Sequence, residues 1–167
     1  LPVVNFAAGT DKSIESNSDA ETNEEKIRKV TFLITTDIHS QINTHDEFFW
    51  ENEQPVYRKR GGLAVLKTMI DQLRKENPQN TILYDGGDFF HGHAVASLTE
   101  GEALIPVFNK LGYDLILPGN WEVVYKKKQM LFDMGHSNVG KICANMYHKS
   151  ETNPFCELVY QPYWIKY

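Results

Sequence analysis

From Val30 onward the chain switches repeatedly between two hydrophobic periods, and this switching is what most limits the folds open to it. Residues 30–36 form a β-branched and apolar run, the composition of a buried strand. Gly61-Gly62 then opens a segment with Leu63, Leu66, Met69, Ile70 and Leu73 at helical spacing, and Asn77-Pro78 stops it. A second strand is expected over 81–84, a helix over 102–111 with Gly112 as its C-cap, and a third strand over 114–117. A helix over 126–134 and a fourth strand over 140–144 follow. Residues 158–160 and 164–167 read as a closing hairpin near Gln161-Pro162. Between the first strand and the first helix, residues 37–60 read as a long polar and aromatic loop. Strands that alternate with helices build parallel β-α-β units, so the expectation is an α/β fold, a partial sandwich whose mainly parallel sheet is flanked by helices and covered on both faces.

The residues just past these strands are chemically unusual. Asp37 and His39 follow the first strand, Asp88 follows the second, Asn120 the third and Asn145 the fourth. In an open parallel sheet the carboxyl ends of the strands share one edge, where ligands bind. Oxygen and imidazole donors at successive strand ends therefore converge. Two carboxylates, an imidazole and an amide oxygen suit divalent Mn, Fe, Zn or Mg. A carboxylate such as Asp88 is suited to bridge two ions, the arrangement that clamps phosphoryl groups. Asp-x-His alone is a weak signal and Gly-Asn alone a common turn; their succession at neighbouring strand ends carries the argument.

Charge and cysteine content narrow the field. The net charge of -5 leaves no basic stripe to neutralise a nucleic-acid polymer. Much of it is local: residues 1–27 hold six acids against Lys12 and Lys26. They read as a disordered polar tail ahead of a domain over 28–167. No stretch is long and apolar enough to span a bilayer. The mildly apolar start at 1–8 fits the remnant of an export signal as well as a simple boundary; periplasmic or secreted placement is the expectation taken from it. Cys143 and Cys156 have no C-x-x-C spacing, and Cys143 reads as a small core residue.

The motifs resemble those of the calcineurin-like metallophosphoesterase superfamily, in particular its secreted nucleotidase branch. The matching segments are Thr36-Asp37-Ile38-His39, Arg60-Gly61-Gly62-Leu63-Ala64, Asp85-Gly86-Gly87-Asp88, Leu111-Gly112-Tyr113-Asp114, Pro118-Gly119-Asn120-Trp121-Glu122 and Cys143-Ala144-Asn145-Met146. The resemblance implies a hydrolase of phosphate esters with two divalent metal ions. It implies that Asp37 and His39 bind the first ion, Asp88 bridges and Asn120 binds the second. A small anionic substrate such as a nucleotide is the implied partner. The family's usual Gly-Asn-His-Glu-Phe-Asp is departed from in two places: Trp121 stands for the His and Val124 for the Asp. An indole donates a hydrogen bond but does not transfer a proton. Loss of an acid–base group costs about 10²–10⁴-fold. A Trp here resembles the thiosulfohydrolase branch, although Asn120 follows the nucleotidase pattern.

Trp121 and Asn145 are candidate substrate-binding residues. His91, His93 and His45 are candidates for the missing acid, His91 foremost because it follows Asp88 most closely. The aromatic and acidic stretch 44–50 reads as packing onto the domain, with a substrate lip as the alternative, and Lys126-Lys127-Lys128 as a solvated helix face. The family's later Gly-His-x-His is absent, and only His148 follows Asn145. The chain is therefore expected to be a fragment that lacks the C-terminal half of its domain and binds metal poorly alone. A catalytically degenerate binding protein is the remaining alternative.

Overall fold

The computed structural model describes residues 29–149, 152 and 157–166. The tail at 1–27 and Cys156 lie outside them; Cys143 is a half-buried free thiol rather than a core residue.

A four-stranded parallel sheet organises the molecule, in the order β1 (Thr31–Thr35), β4 (Thr81–Asp85), β5 (Leu115–Ile116), β6 (Gly140–Lys141). Its strands are joined through α1 (Leu63–Glu76), α2 (Ala94–Leu98), α3 (Ile105–Leu111) and α4 (Lys126–His136). A single 3-10 turn over Glu102–Leu104 leads into α3, so the helix expected over 102–111 begins as a tighter coil. Gly112 ends α3 in the left-handed conformation, where its missing Cβ avoids the steric cost.

Alternation along the strands decides which face is covered. Leu33, Thr35, Thr81, Leu83, Asp85 and Ile116 are buried. Leu33, Leu83 and Ile116 share one core with Leu63 and Ile70 of α1, Phe108 and Leu111 of α3, and Met130 and Met134 of α4. The intervening residues do not join it. Phe32 and Ile34 are each 58% exposed, and with Ile82, Tyr84, Leu117, Ile142 and Trp164 they lie on an open face. The mainly parallel sheet flanked by helices is thus as expected, while its second face is left uncovered among the described residues. The sequence run 30–36 is apolar at every other position on both sides, which cannot say whether a second layer is present.

Two other expectations are corrected. Residues 44–61 are not a loop: β2 (Thr44–Glu51) and β3 (Gln54–Gly61) form an antiparallel hairpin with Glu51 opposite Gln54. Its two-residue turn is Asn52-Glu53, both at positive φ (49° and 61°), the pattern that matches strand twist. The closing hairpin at the C-terminal end is not formed among the described residues. Ile142 instead bridges Gln161 in parallel and Tyr147 bridges Leu158 antiparallel.

Candidate metal centre

The tips of β1 and β4 stay zipped together after the strands end. The N–H of Asp37 donates to the carbonyl of Gly87 (3.0 Å), that of His39 to Asp88 (2.9 Å), and that of Ser40 to Phe89 (3.1 Å). The fully buried Ser40 hydroxyl donates to the carbonyl of His91 (2.9 Å). Asp37, His39 and Asp88 all take positive φ (55°, 47° and 61°). Such conformations are costly for non-glycine residues and persist where surrounding structure over-determines them, commonly at functional sites. Beneath the tips, Phe89 and Phe90 are buried against Phe108, with ring centroids 4.8 and 5.4 Å away, so the turn after Asp88 is anchored in the core.

Zipping brings the donors together. One ligand atom each from Asp37, His39 and Asp88 lies within 4.8 Å of the others, and His39 Nε2 is 3.7 Å from Asp37 Oδ1. Asp88 is buried, His39 half-buried and Asp37 exposed, so the group opens to solvent on one side. Two carboxylates and one imidazole with an open side form a donor set suited to a divalent first-row ion. These residues therefore fit the metal that the sequence implies.

The tip of β5 reaches the same place. Gly87 and Gly119 touch through their backbones: a Cβ on Gly87 would lie 2.3 Å from Gly119 N. A Cβ on Gly119 would lie 2.2 Å from Asp88 Oδ1. The N–H of Trp121 donates to that same oxygen (2.7 Å). Asn120 is exposed and sits between two residues that both touch Asp88. Asn145 follows β6, the fourth strand of the edge; it is exposed and its amide oxygen accepts from Cys143 Sγ (3.1 Å).

The aromatic wall of the site is made by Trp121, one of the two departures in sequence, and by His91. His91 and Trp121 stack with ring centroids 4.0 Å apart and planes 15° from parallel. His39 meets both edge-on, at 6.0 Å from His91 and 6.4 Å from Trp121. His91 Nδ1 is buried without a hydrogen-bond partner. His45 and His93 are spent elsewhere, the first on Glu47 and the second on Gln41. Lys126, Lys127 and Lys128 are exposed at the start of α4.

Behind the ligands, Asp85 is fully buried. Burial pushes its carboxyl up to about 7, against the pull of the Thr35 hydroxyl and the Gly87 N–H. The sequence reading gave Asp85 no role, and it gave none to Glu122. Glu122 is 3% exposed and accepts backbone N–H bonds from Asp88, Phe89, Phe90 and Gly119. The signal that exposes it in hindsight is two glycine-rich turns whose amide groups have no strand partner and require an acceptor.

The sequence pattern described as calcineurin-like phosphoesterase matches residues 30–165. The chain belongs to this family. It is 30% identical over 150 residues to a 5'-nucleotidase of Vibrio cholerae, a match covering 84% of this chain and 23% of that protein. Protein UshA of Escherichia coli is 31% identical over 130 residues, covering 76% of this chain and 22% of UshA. The chain thus spans about a quarter of the length of these relatives. Among solved structures, the NAD nucleotidase NadN of Haemophilus influenzae superposes with a TM-score of 0.66 at 23% identity, over 74% of this chain and 24% of that one. The Thermus thermophilus sulfate thiohydrolase SoxB gives the same TM-score at 17% identity, over 83% of this chain and 33% of that one. At these identities the two structures share the fold.

Proposed function

We propose that this chain is part of a metal-dependent phosphoesterase that hydrolyses nucleotides, with Asp37, His39, Asp88 and Asn120 as ligands to two divalent ions. The observation that carries the proposal is the convergence of Asp37, His39 and Asp88 donors within 4.8 Å at the strand tips. Divalent ions held there would neutralise charge on a phosphoryl group and lower the cost of activating water. Nucleotides are favoured as substrates because the relatives with about 30% identity include Vibrio proteins named 5'-nucleotidase.

The chain's own residues divide the remaining work. Asp88 is held from behind by the Trp121 N–H, which leaves its other oxygen for coordination. His91, at the rim of the group, is the candidate acid for the leaving group. Its ring is clamped by Trp121, which limits the poses it takes. Trp121 also supplies an aromatic edge against which a base or sugar packs, and Asn145 marks the far end of the binding edge. Among the described residues no helix is long and apolar enough to cross a membrane.

The test is an assay of the full-length protein with nucleoside monophosphates and Mn²⁺, beside His91→Ala and Trp121→His. Metal-dependent phosphate release, with a pH–rate profile flattened in His91→Ala, supports the reading. An unchanged profile removes His91 from the acid's role. A second reading follows from Trp121 itself, since an indole supplies no proton: hydrolysis of a sulfur ester or thiosulfonate, whose leaving group needs none. A large gain of phosphatase activity in Trp121→His, with thiosulfonate cleaved by the native protein, favours that second reading. Neither activity with metal bound leaves a binding protein.

A further inference from the structure

We infer that Glu122 is a positioning residue for the metal group, its carboxylate fastening the turn that carries Asp88 to the turn that carries Asn120. The inference rests on the two-metal reading above. Glu122 does not face the donors; it lies behind them. Its Oε2 accepts from the N–H of Asp88 (2.7 Å) and of Gly119 (2.6 Å), and its Oε1 from Phe89 (2.8 Å) and Phe90 (3.3 Å). Asp88, Phe89 and Phe90 belong to one turn and Gly119 to another about thirty positions later in sequence, so one side chain ties two strand tips.

The need for it is physical. The two turns meet backbone to backbone at Gly87 and Gly119, with no room for a Cβ on either. At that contact four N–H groups point into a space that is 3% exposed through Glu122. Buried donors without an acceptor are costly, and converging amide dipoles repel one another. A carboxylate satisfies all four with charge-assisted hydrogen bonds. It also supports the left-handed backbone of Asp88 (φ 61°), which aims that side chain at Asp37 and His39. A glutamine in the same place has one acceptor oxygen and an NH₂ that faces donors, so the two turns lose part of their common anchor.

The experiment compares the full-length wild-type protein with Glu122→Gln and with Ile116→Val, a core variant at a fully buried position on β5 whose side chain is not part of the amide cluster. Mn²⁺ uptake is titrated calorimetrically, and amide hydrogen exchange is followed by mass spectrometry in peptides covering 86–90 and 118–122 of the metal-free proteins. Glu122→Gln is expected to weaken metal uptake by about tenfold to a hundredfold, the usual cost of losing support behind a ligand. It is also expected to speed exchange in both peptides, whereas Ile116→Val leaves both properties near wild type. Glu122→Asp, which retains the negative charge with a shorter reach, is expected to fall between wild type and Gln. Should the Gln variant not fold, Glu122→Asp carries the test: several-fold weaker uptake with faster exchange supports the inference. Wild-type affinity in either folded variant overturns the positioning role while leaving the two-metal reading intact. A wild-type protein that takes up no Mn²⁺ overturns the two-metal reading, and this inference with it.

Discussion

The strand tips and the β2–β3 hairpin are both crowded with aromatic and ionisable side chains, yet they are built on opposite terms. At the tips, Asp37, His39 and Asp88 are held in left-handed backbone by hydrogen bonds between turns, by the Glu122 carboxylate and by the Phe89–Phe90–Phe108 cluster beneath. The hairpin is held mainly by contacts between its own two strands. Phe48 packs edge-on to Tyr57 with centroids 5.6 Å apart, Lys59 pairs with Asp46 at 2.9 Å, and Arg58 and Arg60 lie over the Phe49 ring. Phe48, Trp50 and Tyr57 are 49%, 66% and 66% exposed. Isolated two-stranded hairpins are marginal in water. A cluster of reactive residue types therefore becomes a site where a core dictates its geometry; without that core the same residue types make a local truss.

The sharpest way to break the comparison is at Gly119. Gly119→Ala drives a methyl to within 2.2 Å of Asp88 Oδ1 and 2.6 Å of Asp88 N. A loss of roughly 4–5 kcal/mol is expected, the range of severe packing defects, together with loss of Mn²⁺ uptake. Chemical denaturation and a metal titration check both. A stable, metal-binding alanine variant would mean that the two turns are not locked together.

Asp85 sharpens the comparison through pH. Its folded carboxyl titrates near 7, against an ordinary 3.8, because burial disfavours the charge. The folded state keeps this proton through that window while the unfolded chain releases it. The contribution to stability is therefore full below 3.8 and declines as pH rises through about 7. A shift of this size corresponds to about 4 kcal/mol. Relative to Asp85→Asn, wild type should lose on that order of stability between pH 4 and pH 8, measured by denaturant melts at each pH. Parallel curves would show that Asp85 is solvated or neutralised by another route.

The smallest effect belongs to the hairpin. Lys59 and Asp46 have side chains 67% and 59% exposed, so Lys59→Ala should change stability by less than about 0.5 kcal/mol, with metal uptake unaltered. A larger loss, or a change in metal affinity, would show that the hairpin is coupled to the site after all.

Much of this division was legible before any coordinates. The β-branched run 30–36, the helical spacing from Leu63 to Leu73 and the glycine at 112 gave β1, α1 and the end of α3 because each is a local signal. Donor residues at strand ends pointed to Asp37, His39 and Asp88 because a parallel sheet puts those ends on one edge. The hairpin was hidden because Asn52-Glu53 lacks the glycine that marks tight turns, so its period-two pattern was read as loop. α2 is five residues long, too short to display a period. Glu122 is harder to read for another reason: its partners are main-chain amides, so only the two glycine-rich turns that require an acceptor point to it.

The bare side of the sheet has a practical consequence. Phe32, Ile34 and Trp164 leave a broad oily surface in contact with water, next to a groove lined by Tyr84, Leu117 and Ile142. Surfaces of that kind gain free energy whenever anything apolar covers them. Handled as an isolated slab, these residues behave as an adhesive, and their solubility depends on what else is in the tube.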